Sequence, residues 1–177
     1  PTPPPEPTEE ELEAQEIEDL LSSLTTEEKV GQLFFVRCPA ESAAEDVGTY
    51  HLGGYILFGR DFADKTADDV IQTIHSYQSA AAADTGIPLL IGVDEEGGTV
   101  VRVSSNPHLR SEKYPSPQKL LSQGGTKALV ADAADKDALL HGLGINVNLA
   151  PVADVSTDPS DFIYDRTFGQ DAAGNAD

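Results

Sequence analysis

Methionine and tryptophan are absent from this chain, and cysteine occurs once, as Cys38. A lone cysteine excludes an intramolecular disulfide and any cysteine metal cluster. Beside an apolar run, it is expected to be a small buried residue. Lacking an initiator methionine, the chain is expected to begin downstream of its first translated residue. No apolar run approaches the 18 or so residues that a membrane-crossing helix needs, so membrane insertion is not expected. Positive charge is scarce as well: 11 Lys and Arg against 31 Asp and Glu give a net charge of -20. A polyanion is repelled by phosphate backbones and anionic lipid, which argues against nucleic acid as a partner. Ten of the 31 acids lie in residues 1–28, which hold no base.

What is present divides at about residue 24. Residues 1–23 open with "PTPPPEPT", a linker composition, and continue into a short acidic helix predicted from about Glu9 to Ser23, with Leu12, Ile17, Leu20, Leu21 and Leu24 as a thin apolar stripe. Residues 24–177 read as one domain of alternating strands and helices. Thr25 and Glu28 form a capping-box pattern before a helix that runs into the strand-like "LFFVR". A second strand is predicted over Tyr55–Phe58, a helix from Thr66 to Gly86, and a third strand in "IPLLIGVD". A helix over Pro117–Leu143 carries a "QGGT" interruption, and a fourth strand falls over Ile145–Leu149. This rhythm predicts parallel strands joined by crossover helices. A closed (β/α)₈ barrel typically needs about 250 residues, so four such units make either a small open sheet or the first half of a barrel.

In "LLIGVDEEGG", residues 89–98, a buried-looking strand runs straight into three acids and two glycines. The three carboxylates are expected to leave the core together, and loops at the carboxyl ends of parallel strands are where sites are built. Arg60-Asp61, Arg102, Asp154, Asp158, Asp161, Asp165 and Arg166 occupy comparable places after the strands. Two carboxylates about 5 to 9.5 Å apart suit glycoside hydrolysis, one as general acid and one as nucleophile or base. No histidine or cysteine has ligand spacing beside these acids, so no metal site is expected. His51 and His108 fall in loops, His75 and His141 in helices, and each reads as a packing or surface residue because no partner is evident. Gly97-Gly98 lacks the rest of a phosphate-binding fingerprint.

"IPLLIGVDEEGGTVVR" resembles the signature of glycoside hydrolase family 3, in its bacterial β-N-acetylhexosaminidase branch. "LTTEEKVGQLFFV", "LGGYILFGRDF" and "LGINVNLAPVADVSTDPSDFIYDRTFG" agree with it in order, so the resemblance covers residues 24–170. It implies the amino-terminal half of a (β/α)₈ TIM barrel and release of terminal β-linked N-acetylglucosamine through a covalent intermediate, with no cofactor. It assigns Asp94, Arg102 and Arg166 to the sugar pocket, with Glu96 and Asp154 supporting them. It also replaces the acid pair suggested by position alone, Asp94 and Asp154. The family's nucleophilic aspartate, its acid/base histidine and its Lys-His-[Phe/Ile]-Pro-Gly element have no match in residues 1–177. The chain alone is therefore expected to be inactive and to need the carboxyl-terminal half of the barrel as partner. A cell-envelope or extracellular setting in glycan turnover is the accompanying expectation. A family 3 β-glucosidase or β-xylosidase, or a sugar-binding fragment without chemistry, are the alternatives.

Overall fold

The computed structural model describes residues 7–176, so the proline-rich opening of the linker, residues 1–6, lies outside the described residues. The first helix, α1 (Glu9–Ser23), starts at Thr8, whose side chain accepts from the Glu11 amide while the Glu11 carboxylate accepts from the Thr8 amide. The same reciprocal device, Thr25 with Glu28, starts α2 (Thr26–Gln32). α1 buries no residue, so its apolar stripe of Leu12, Ile17, Leu20 and Leu21 lies exposed.

Four parallel strands follow in the spatial order of the sequence: β1 (Phe35–Arg37), β2 (Gly54–Leu57), β3 (Leu90–Val93) and β4 (Val147–Asn148). Helix α3 (Ala43–Tyr50) connects β1 to β2. Its segment has no apolar run long enough to announce it, and the sequence reading passed over it. Between β2 and β3 come a short α4 (Gly59–Phe62) and the long α5 (Ala67–Asp84), started by a Thr66–Asp69 capping box. Between β3 and β4 lies α6 (Pro117–Gly142), broken at Gly125, where φ 60° and ψ -157° leave helical space within the expected "QGGT" interruption. A 3₁₀ turn (Tyr164–Arg166) and α7 (Ala172–Ala176) end the described chain.

Alternate residues of β2 and β3 share a face. Tyr55, Leu57, Ile91 and Val93 point to the helix layer and pack with Val47, Phe62, Val70, Ile74 and Leu140. Complete burial of side chains such as Ile91 and Val93 contributes about 1.5–3 kcal/mol each. The Tyr55 hydroxyl donates to the Ala43 carbonyl at 2.7 Å, and its ring meets Tyr77 edge-on with centroids 5.4 Å apart, fixing α3 and α5 against β2. On the other face of the sheet, the Phe35 ring lies across Gly54 and Gly92, where a β-carbon at either glycine would collide with it. Cys38 is buried beside this layer as expected, and burial holds its thiol above the ordinary range.

Strand ends differ from expectation by one to three residues: β2 stops before Phe58, and β4 contains only Val147 and Asn148 of the five residues expected. Asn146 explains part of the shortening, because its side chain accepts from the Ile91 amide at 2.7 Å and donates to the Leu89 carbonyl at 3.1 Å, taking over a backbone partner's role.

Candidate functional site

Asp94, Arg102, Glu96 and Arg166 gather at the carboxyl end of β3 in two ion pairs. Arg102 Nη2 donates to Asp94 Oδ2 at 3.1 Å. Arg166 grips Glu96 with both arms, Nε to Oε2 at 2.9 Å and Nη2 to Oε1 at 2.7 Å, the strongest geometry open to a guanidinium and a carboxylate. Glu96 is the main reason the Arg166 pKa is raised; Asp154 and Asp94 add to the effect, which puts all three acids in the field of one guanidinium.

The expectation that three carboxylates leave the core together is corrected. Asp94 is half-buried, but Glu95 is fully buried at 0% exposure and Glu96 nearly so at 6%. Glu95 is tolerated there because the chain returns over it. Its carboxylate accepts from the amides of Arg102 and Val103 at 2.7 Å each, from the Ser104 amide at 3.4 Å, and from the Ser104 hydroxyl. Its own peptide is held by Asn148, which accepts from the Glu95 amide at 3.1 Å. A short polar turn cannot be told from a buried anchor by composition, and Glu95 was missed for that reason.

The two glycines follow from the same fold-back. Gly97 and Gly98 have φ of 98° and 65°, which L side chains rarely adopt, and a β-carbon on Gly97 would strike the Pro115 carbonyl. The loop they allow is pinned further along by Asn106, which donates to the carbonyls of Phe62 and Lys65 at 2.7 and 2.8 Å. Lys136 of α6 is buried; its ammonium donates to the Glu96 carbonyl at 3.0 Å and pairs with Asp132 at 2.6 Å.

Asp154 is exposed and makes no side-chain hydrogen bond or ion pair among the described residues, so the geometry does not bring it into contact with the others. Two residues that the sequence reading left aside do stand beside the pairs. The Phe58 ring lies under Arg37 at 4.7 Å and Arg102 at 5.4 Å. Arg37, at the end of β1, and Arg60, Arg102 and Arg166, after β2, β3 and β4, are four of the five arginines in the chain. Arg102 Nε is buried without a hydrogen-bond partner among the described residues, leaving a donor for something else to satisfy. Such an arrangement of fixed carboxylates and guanidinium forks can bind a polyhydroxylated ring, the acids accepting from hydroxyls and the arginines donating to ring substituents.

Residues 25–175 match the family described as glycosyl hydrolase family 3 N terminal domain. Among curated proteins, the chain is 37% identical over 153 residues to beta-hexosaminidase LpqI of Mycobacterium tuberculosis, covering 85% of this chain and 37% of that protein. It is 34% identical over 137 residues to beta-hexosaminidase A of Pseudoalteromonas piscicida, covering 72% of this chain and 21% of that one. A solved family 3 beta-N-acetylglucosaminidase from Paenibacillus superposes with a TM-score of 0.76 at 30% identity, covering 87% of this chain and 29% of that one. Beta-N-acetylhexosaminidase from Beutenbergia cavernae gives a TM-score of 0.72 at 31% identity, covering 87% and 48%. The chain therefore spans less than half the length of these relatives. With the family matched over nearly the whole domain and the parallel sheet superposing on those enzymes, this chain belongs to glycoside hydrolase family 3 and carries part of its TIM-barrel-like amino-terminal domain.

Proposed function

We propose that this chain supplies the sugar-recognition half of a retaining glycosidase that releases terminal β-linked N-acetylglucosamine. The observation that carries the reading is the pair of carboxylate–guanidinium clamps, Asp94–Arg102 and Glu96–Arg166, whose acids both follow β3. Asp94 and Arg102 bind hydroxyls of the non-reducing sugar, and Arg166 completes the pocket, while Glu96 orients Arg166. Asp154 acts through its field on Arg166. Nucleophile and acid/base come from the carboxyl-terminal half of the barrel, which also covers the free edges of β1 and β4.

Relatives named beta-hexosaminidase support this substrate over a glucoside or xyloside, and cell-wall glycan is the polymer that offers it. An extracellular or cell-envelope setting fits the acidic, proline-rich residues 1–23 ahead of the domain and a relative from Arthroderma benhamiae named as a secreted glycosyl hydrolase. No helix among the described residues is long and apolar enough to cross a membrane.

The test compares aryl β-N-acetylglucosaminide with the matching glucoside and xyloside. The full-length enzyme should cleave the first, and residues 1–177 alone should cleave none. Preference for the glucoside would move the enzyme to another branch of the family. Failure of the full-length protein to cleave any of the three, with sugar binding intact, would establish the non-catalytic alternative.

A further inference from the structure

At the opposite end of the sheet, the segments that lead into the strands bring together three side chains that sequence spacing had kept apart. Glu28 lies in α2 ahead of β1, His51 in the turn between α3 and β2, and Asp84 is the last residue of α5 ahead of β3. We propose that Glu28, His51 and Asp84 form a site for a divalent transition metal of the zinc class on the amino-terminal face of the domain.

One ligand atom from each residue lies within 4.8 Å of the other two. His51 Nδ1 is 2.9 Å from both Asp84 oxygens. Neighbouring ligands around a tetrahedral metal with bonds of about 2.1 Å stand about 3.4 Å apart, so this pair needs to part by only about 0.5 Å to admit the ion. Glu28 uses only Oε2 in its helix cap, accepting from the Thr25 amide at 2.6 Å and hydroxyl at 2.8 Å. Its Oε1 and His51 Nε2 have no hydrogen bond among the described residues. A small change in the Glu28 side chain therefore brings Oε1 to the metal without dismantling the cap.

The imidazole separates this group from an ordinary acidic cluster. One nitrogen and two carboxylates favour zinc, nickel or copper, whereas magnesium and calcium prefer oxygen alone. His51 and Asp84 side chains are 28% and 16% exposed, which leaves an approach from solvent and room for waters as further ligands. On binding, the metal replaces the proton between His51 Nδ1 and Asp84, and that proton leaves to water. Two carboxylates and a neutral imidazole then balance the two positive charges. The bound ion adds a link between α2, the α3–β2 turn and the end of α5, which already meet through Gln32 and the His51 carbonyl and through His51 and Asp84.

The site is independent of the sugar pocket and is tested by melting the chelator-treated protein with and without zinc. Zinc should raise Tm by about 5 °C at saturation, magnesium should not, and His51→Ala and Asp84→Asn should each lose the response. Glu28→Gln, which keeps the cap acceptor, should weaken zinc binding about tenfold. Cobalt provides a second readout: a visible absorption band in the wild type that is absent from Asp84→Asn. A zinc response equal in His51→Ala, an equal response to magnesium, or neither a Tm shift nor a cobalt band would overturn the proposal.

Discussion

Arg166 reaches Glu96 across 70 residues of sequence and holds it with two parallel hydrogen bonds, joining the loop after β4 to the loop after β3. Glu96 is nearly buried and Arg166 only partly so. Removing the acid leaves a guanidinium that can turn toward water. Glu96→Ala is therefore expected to cost about 2–3 kcal/mol, below the 3–5 kcal/mol typical of a fully buried pair. Chemical denaturation checks this, and a loss under 0.5 kcal/mol would show that the clamp does not hold the two loops.

Glu95 should prove more sensitive than its sequence position suggests. Glu95→Ala strands three amides and a hydroxyl and is expected to destabilise by about 3 kcal/mol, whereas Glu95→Gln keeps one acceptor and loses about half as much. Hydrogen exchange at residues 102–104 should rise in both variants, most in the alanine one, because those amides lose their acceptor.

For Asp94→Ala the expectation is the reverse. The carboxylate is half-exposed and stands outside the core. Tm should change little while the affinity for N-acetylglucosamine falls at least tenfold. Unchanged sugar affinity would remove Asp94 from the pocket.

Packing across the inner face gives a fourth test. Gly92→Ala places a methyl group against the Phe35 ring and should cost about 1–3 kcal/mol by overpacking. The double variant with Phe35→Leu should recover part of that loss, and purely additive effects would place the strain elsewhere.

The acid limb of stability should depend on Asp69. Its backbone and side-chain hydrogen bonds with Thr66 hold its carboxyl below the ordinary 3.8. A depressed folded pKa contributes stability that is complete above pH 3.8 and is lost as pH falls through the lower folded value. Asp69→Asn should flatten Tm against pH in that window and leave the profile above pH 5 unchanged. Thr66→Ala, which removes the cap, should cost about 1 kcal/mol at neutral pH.

Local signals in the sequence carried much of this fold. The Thr25–Glu28 box, Thr66 as a cap and the glycine break in α6 are each decided by a few neighbouring residues, and each stands where sequence reasoning put it. The buried character of β3 was legible as a continuous apolar run, although Leu90 at its start is half-exposed. The burial of Glu95 was not, since it depends on amides seven to nine residues away folding back over it. Phe58 beneath Arg37 and Arg102 unites three strand ends, and the His51–Asp84 contact spans 33 residues. Such contacts are set by topology and leave no mark in local composition.

Helix α1 gains nothing from the core yet is capped, acidic and continuous over 15 residues, which gives it a length of about 22 Å. Its glutamates repel one another along the shaft and any anionic surface beyond it. In mechanical terms it is a strut, kept straight by its own cap and backbone hydrogen bonds and drawing nothing from the packing of the domain that follows.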